Sequence, residues 1–472
     1  MEEALLPLND VIISKRVVFK EEVKEVSRLA IPMIVGTMCQ YLLRYAPMVM
    51  LGHLSELSLS SASIATSYCT VTGFAILFGM ASGLETLCGQ AYGARQYQKV
   101  GTITYAALIF LLFFCLPISL LWIYTENLLL WIGQDPSISV EAGKYSIWLI
   151  PTLFPYAILQ SLFCYFQAQS LILPILWSSI VSLCFNIPLS WAFIFKFNFG
   201  TIGAAIAIGL SYWLNVILLV IYLKYSSTCK KTRPFFSKDV FHVMPEFFQF
   251  AFPSAGMVGL RWWAVEIITL LGGLLPNPQL ETSVLSICLT TSSIHFNLPF
   301  SFGAAASIRI SNELGAGNPK AARVSIYAVF TLAAAEFLLA SGILFSLRNV
   351  WGYAFTHDQE VVDLITEITP LLCLSIIVYS TVTVLSGVAR GSGWQKLGAY
   401  VNLGSYYLVG IPASLLMGFV WNWKAKGLWC GLLMGSTVQA ILLCIITGLT
   451  DWEKLAKEAR ERLFDRKICG NK

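Results

Sequence analysis

The chain has 472 residues, of which 57% are hydrophobic and only 12% charged, and its formal net charge is +5. That length would fit two or three soluble domains, but so few charges among so many apolar residues exclude them and point to an all-α membrane protein. The small positive excess sits in loops and tails, where it reports orientation beside anionic lipid. With no basic groove carrying interleaved aromatics, nucleic-acid binding is not expected.

In chain order, residues 1–27 read as a cytosolic tail with Lys15, Arg16, Lys20 and Lys24. They are too mixed in charge for a signal peptide, so the first span is expected to serve as the insertion signal. Residues 28–223 carry six apolar runs near 29–51, 59–84, 102–124, 145–169, 173–195 and 201–223, each near the roughly 20 residues that cross a bilayer. A basic linker, 224–246, holds Lys224, Lys230, Lys231, Arg233 and Lys238. Residues 247–450 supply six further runs, near 247–272, 283–308, 322–346, 364–388, 397–420 and 427–449. Continuous stretches such as Leu108–Trp122 argue against an outer-membrane barrel, whose strands alternate. The final segment, 451–472, places Trp452, Leu455, Ala459 and Leu463 on one helical face, the pattern of an amphipathic helix seated at the inner membrane surface.

The halves repeat their landmarks in order. LAIP at the start of the first span matches FAFP in the second half, pairing Pro32 with Pro253, and Gly52 pairs with Gly273 at the same spacing. GQAYGARQYQK (Gly89–Lys99) is echoed by SNELGAGNPKAA (Ser311–Ala322), and Pro151 and Asn186 by Pro370 and Asn402. The expected fold is therefore twelve transmembrane helices in two pseudosymmetric six-helix bundles. Prolines within or near the spans, such as Pro117 and Pro188, favour bends, either fixed or changing during transport. An even number of spans puts both termini on one side. The loops there carry Arg95, Lys99, the linker, Lys320, Arg323, Arg390 and Lys396, so that side is expected to be cytosolic.

The candidate for chemistry is Glu266, midway through a span with Trp262 and Gly259 on its face. An ionised carboxylate there costs several kcal/mol in desolvation, which taking up a proton removes. That suits exchange of a proton against a substrate, if each alters the carboxylate's surroundings in opposite ways. The structural alternative is a buried ion pair with Arg44 or Arg261. Arg261 lies near the start of its span and can snorkel. Arg44, one turn from Gln40, either snorkels outward or lines a polar cavity.

Two polar and aromatic stripes complete the candidate cavity. Tyr156, Gln160, Phe163 and Gln167 recur at helical spacing, and the equivalent positions in the tenth span are Ser375, Tyr379, Val382 and Ser386. Thr290, Ser293 and Asn297 form a similar stripe in the eighth span, and nearby His295 is a candidate proton relay. Either stripe equally fits interhelical hydrogen bonding. Trp262 or Tyr379 offers an aromatic face to an organic cation. The glycine-rich GQAYGAR and SNELGAG lack the features of a phosphate-binding loop and suit turns after the second and eighth spans. No cofactor, metal motif or paired Cys-x-x-Cys is evident, and with no Walker motif or nucleotide-binding domain energy is expected from an ion gradient and not from ATP hydrolysis.

At these same residues the chain resembles the multidrug and toxic compound extrusion family, above all its plant branch, over roughly residues 25–450. The matching segments are Leu84–Ala94, Leu275–Leu289, Ile310–Ala322, LSGVARGSGWQ and GAYVNLGSYYLVGIP. The resemblance implies a V-shaped antiporter, not an enzyme, exporting organic cations, alkaloids, flavonoid conjugates or related xenobiotics across the plasma or vacuolar membrane. It places the family's coupling glutamate on Glu266. Plant relatives commonly carry an acidic residue where LSIIVYS has Tyr379, a glutamine at Arg44, and an acidic residue near Arg261. Coupling is accordingly expected to rest on Glu266 without a second acidic partner, and affinity to shift toward neutral or anionic substrates. An organic-anion exporter on the same scaffold and a lipid translocator are the alternatives. Expected partners are a small-molecule substrate, protons and membrane lipids, with the monomer as the functional unit.

Overall fold

The computed structural model describes residues 8–233 and 238–464. Long helices dominate it: α1 (Leu8–Gly52), α2 (Glu56–Gly93), α3 (Tyr97–Ile123), α4 (Pro136–Ala168), α5 (Ile172–Lys196), α6 (Gly200–Tyr225), α7 (Asp239–Gly272), α8 (Pro278–Ala316), α9 (Pro319–Ser346), α10 (Gln359–Ser392), α11 (Gln395–Val420) and α12 (Lys424–Leu449). A terminal α13 (Trp452–Phe464) follows. The fold is all-α and multi-spanning, because only helices satisfy their own backbone groups segment by segment in lipid.

Eleven helices among the described residues are long and apolar enough to cross a membrane, one fewer than the twelve runs read from the sequence. The exception is α8, 39 residues long but diluted by Thr290, Thr291, Ser292, Ser293, His295 and Asn297. Its length suffices for a span; its composition alone sets it apart. Residues 8–27, outside the first expected span, continue α1 as regular helix.

Turn chemistry follows the sequence closely after α8, where Gly317 takes φ +79° and closes the helix from the left-handed region that favours glycine. After α2 the left-handed residue is Arg95, at φ 59°, and not a glycine of GQAYGAR. The linker begins in contact with protein. Arg233 donates from Nε to the Leu223 carbonyl (3.1 Å) and from Nη2 to that of Ser226 (3.2 Å), capping the end of α6. Thr232 donates to Gln169 Oε1 at 2.7 Å, against the end of α4.

The chain forms two compact units. The first comprises Pro32–Glu266 with Gly393–Leu403; the second comprises Met1–Ile31, Ile267–Ser392 and Gly404–Lys472. Neither is bounded by the basic linker. Three helices contribute to both: α1, which changes unit beside Pro32; α7, at Glu266; and α11, inside its π-helical turn Leu403–Gly410.

In the first unit α2 crosses α7 so closely that a Cβ on Gly79 would lie 2.6 Å from the Ala255 Cα. A second π-helical turn, Thr70–Phe74, wraps Trp122 of α3, whose indole donates to the Thr72 hydroxyl at 3.0 Å. In the second unit α8 and α10 pack backbone to backbone, and a Cβ on Gly387 would fall onto the Gly303 carbonyl. Such glycine crossings are how apolar helices associate in lipid, where burying apolar surface brings no gain.

The second unit also holds the N-terminal part of α1. Glu22 accepts from Arg309 Nε (2.7 Å), Arg309 Nη2 (2.8 Å) and the Ser325 hydroxyl (2.6 Å), and Glu313 lies 3.1 Å from the same guanidinium. Removing Glu22 takes two charge-assisted hydrogen bonds from a largely buried guanidinium and leaves it the contact with Glu313. Glu22→Ala is therefore expected to cost about 3 kcal/mol, read as a lower melting temperature of detergent-solubilised protein; an unchanged melt would show that the pair contributes nothing.

One expectation is corrected here. The apolar face of α13, made by Trp452, Leu455, Ala459 and Leu463, is buried against α8 and α9 and is not available to a membrane surface. Lipid and protein select the same amphipathic pattern, so periodicity alone does not distinguish them. Residues 465–472 lie outside the described part.

Candidate functional site

Among the residues singled out from the sequence, Gln40, Arg44, Tyr156, Gln160, Gln167, Trp262 and Glu266 belong to the first unit. Thr290, Ser293, His295, Asn297, Tyr379 and Ser386 belong to the second.

In the first unit Glu266 is half-buried on α7, and its hydrogen-bond partner is the Ser67 hydroxyl of α2. Among the described residues it makes no ion pair with Arg44 or Arg261. One hydroxyl donor compensates only part of a carboxylate's lost hydration. Nearby, the indole of Trp263 donates to the Val71 carbonyl at 3.2 Å, so α7 is tied to the π-helical turn three residues from Glu266. The turn beside Ser67 therefore belongs to the same piece of structure as the carboxylate.

Arg44 is held among phenols. Tyr212, Tyr156, Tyr45 and Tyr41 are its electrostatic neighbours, and no carboxylate contacts it among the described residues. Tyr41 and Tyr45 stack at 4.1 Å between centroids, and Tyr156 and Tyr212 approach at 5.7 Å. The arginine Nε is buried without a hydrogen-bond partner. A guanidinium cannot shed its charge, so this position retains hydrogen-bonding capacity for an acceptor.

Several stripe residues bind other helices or their own. The Gln40 amide donates to the Ser179 hydroxyl at 2.9 Å, tying α1 to α5. Ser375 accepts from the buried Trp429 indole at 2.9 Å, and the Asn297 amide turns back to the carbonyls of Ser293 and Ile294. Gln160, Gln167, Trp262, Ser293 and Tyr379 are partly exposed, Thr290 is exposed, and Ser386 is buried.

Sequence reasoning passed over four participants. Ser67, Tyr212 and Ser179 are ordinary polar residues in apolar helices, and only three-dimensional placement marks them. Glu336 of α9 carried a signal: a lone carboxylate inside TLAAAEFLLASG, subject to the same burial cost that singled out Glu266. Its Oε1 lies 2.8 Å from His295 Nε2. Among the described residues no three His, Cys, Asp or Glu side chains converge to hold a metal ion. A cleft of about 940 Å3 in the second unit, lined by Glu281, Asp363, Glu367, Lys424 and Lys426 among others, includes none of the candidate residues.

Comparison with known proteins agrees with this architecture. The MatE family model matches residues 32–192 and 253–416. The chain is 52% identical over 448 residues to Protein DETOXIFICATION 9 of Arabidopsis thaliana, covering 95% of this chain and 93% of that protein. It is 51% identical over 464 residues to Protein DETOXIFICATION 14 of the same plant, covering 98% and 96%. The crystal structure of the eukaryotic MATE transporter AtDTX14 superposes with a TM-score of 0.91 at 52% identity, covering 95% of this chain and all of that one. An outward-facing multidrug resistance MATE family transporter of the MOP superfamily shares the fold at 16% identity, with a TM-score of 0.83 and coverage of 92% and 97%.

Proposed function

Because the chain belongs to the multidrug and toxic compound extrusion family, in its plant DETOXIFICATION branch, it is a multi-pass membrane transporter of small molecules and not an enzyme, and we propose that it exports organic cations, alkaloids, flavonoid-like metabolites or xenobiotics in exchange for protons. The observation that carries this reading is Glu266: a carboxylate inside a membrane helix, bonded to one hydroxyl and, among the described residues, to no arginine. When it takes up a proton from one side, its charge disappears and the desolvation cost is relieved. When substrate binding favours the ionised form, the proton leaves to the other side. Reciprocal coupling of the two ligands is the thermodynamic content of antiport.

The same reading has the two sequence-related bundles expose the substrate path to each side in turn. Both termini face the cytosol by the distribution of Lys and Arg, the protein sits in the plasma or vacuolar membrane, and the monomer suffices. Trp262 and Tyr379 are proposed as aromatic faces for a cation. Gln160, Gln167, Ser293 and Ser386 are proposed as polar cavity positions, and His295 as a proton relay.

A second reading is favoured by one observation. The guanidinium of Arg44 lies among tyrosines with an unsatisfied Nε and, among the described residues, no acidic partner, which suits an organic anion. Uptake into proteoliposomes under an imposed pH gradient, comparing an organic cation with an organic anion, decides between them. Arg44→Gln is expected to raise the ratio of cation to anion flux by roughly tenfold, equivalent to about 1.4 kcal/mol. Preferential anion transport that collapses in Arg44→Gln would replace the cation reading; cation flux indifferent to the pH gradient would end the coupling claim.

A further inference from the structure

The second unit contains a pair of ionisable groups of which only His295 has so far been given a role, and Glu336 none. His295 of α8 and Glu336 of α9 meet at 2.8 Å, with each side chain only 12% exposed. The residues are 41 apart in sequence and lie well inside helices of 39 and 28 residues, so the contact joins two membrane-embedded segments and not two helix ends. The histidine satisfies one carboxyl oxygen. The other, Oε2, is buried and has no hydrogen-bond partner among the described residues.

A purely structural buried pair normally has its remaining lone pairs satisfied, because an open carboxylate oxygen away from water is costly. An open oxygen is also where a proton adds. Several ionisable groups on the surrounding helices are engaged elsewhere. On α8, Arg309 binds Glu22 and Glu313, and Glu281 lies 3.7 Å from Lys424 of α12. On α10, Glu367 pairs with Lys426 of α12, Cys373 bonds Ser341 of α9, and Arg390 lies 5.9 Å from the centre of the Phe300 ring. Lys320 and Arg323 stand in the first turns of α9, far along the helix from Glu336. Among the described residues no further hydrogen bond or ion pair reaches His295 or Glu336.

We propose that Glu336, oriented by His295, is a second proton-binding site, so that the transporter exchanges two protons per substrate and not one. This rests on the proton-antiport reading of Glu266 and revises the expectation that coupling proceeds without a second acidic partner. The step is simple in atoms and charge. With the imidazole Nε2–H donating to Oε1, a proton arriving from water on one side bonds to Oε2, and the carboxylate becomes a neutral carboxylic acid. Loss of the same proton to water on the opposite side restores the carboxylate. His295 acts as a positioning residue: it fixes which oxygen is open and supplies a donor to the ionised state.

Two measurements test this. In proteoliposomes with the membrane potential held at zero by potassium and valinomycin, the ethidium gradient at which net flux stops is set by the number of coupled protons. For a pH difference of one unit, two protons sustain a gradient of about a hundredfold and one proton about tenfold, each proton contributing one factor of ten. The wild type is expected near a hundredfold, and Glu336→Gln near tenfold with flux retained. Infrared difference spectra of the solubilised protein between acid and neutral pH read proton binding without any transport. A protonated-carboxyl band is expected to disappear in Glu336→Gln, and to persist at a shifted frequency in His295→Gln.

A tenfold limit in the wild type, or a Glu336→Gln protein with unchanged limiting gradient and spectrum, overturns the proposal. Should Glu336→Gln fail to insert, the wild-type limit and the His295→Gln spectrum decide. If Glu266→Gln left pH-driven flux intact, the coupling reading itself would fail, and the infrared band would still report whether Glu336 binds a proton.

Discussion

Replacing Glu266 by glutamine is expected to reduce pH-driven flux to that of empty liposomes while leaving folded protein in the membrane. Glutamine keeps an oxygen that accepts from the Ser67 hydroxyl and nearly the same volume, so the packing of α7 against α2 has no reason to change. What it removes is the ability to alternate between charged and neutral forms. An unpaired carboxylate in this setting costs several kcal/mol, and a single hydrogen bond to a charged group returns only about 1.5–3 kcal/mol. The difference is what protonation relieves, and with it goes the linkage between proton and substrate. Flux is measured beside a thermal melt; normal pH-driven flux in a well-folded variant rejects the assignment.

Gly387→Val is expected to have the largest effect on folding. The α8–α10 crossing brings the Gly387 position onto the Gly303 backbone, and one turn later a Cβ on Gly391 would lie 2.7 Å from the Ser307 carbonyl oxygen. Backbone cannot rotate aside as a side chain can, so valine must separate the helices. Overpacking of this kind costs about 3 kcal/mol or more, and here it also breaks contacts that hold helices together in lipid. The matched control is Gly342→Ala on α9, where nothing lies within 4 Å of the added carbon; it should raise stability slightly, by about 0.5–1 kcal/mol. Equal melting temperatures for wild type and Gly387→Val would contradict the crossing.

Much of this architecture was legible because membrane helices advertise themselves. Each buries its own backbone, so apolar length alone marks α3 or α12, and paired landmarks such as Pro32 and Pro253 expose the internal repeat. The α8 segment was read as one more apolar run, 283–308, although over the width of a membrane its composition is more polar than that of the other eleven long helices. The division of α1, α7 and α11 between two compact units was not legible, because a continuous helix carries no local signal of which neighbours it meets. The same holds for α13, whose apolar face fits lipid and protein equally well.

At the candidate site the limit was of a different kind. Intramembrane charge is visible in sequence, and the reasoning that picked Glu266 applies unchanged to Glu336. Its partner is not visible, since His295 and Glu336 come together only through the packing of α8 on α9. Likewise Arg44 reads as a charge that either snorkels or lines a polar cavity, and its neighbours, four tyrosines contributed by α1, α4 and α6, are not visible in sequence. Nor does sequence show which polar residues already have partners: Gln40, Ser375 and Asn297 each make a hydrogen bond within the protein.

The claim of proton antiport is tested most directly by running the exchange backwards. Proteoliposomes loaded with a trapped pH indicator and given an outward gradient of organic cation, with no initial pH difference and the membrane potential clamped, are predicted to acidify inside as the cation leaves, and to show no such change with Glu266→Gln. Cation efflux without any movement of protons would contradict the account.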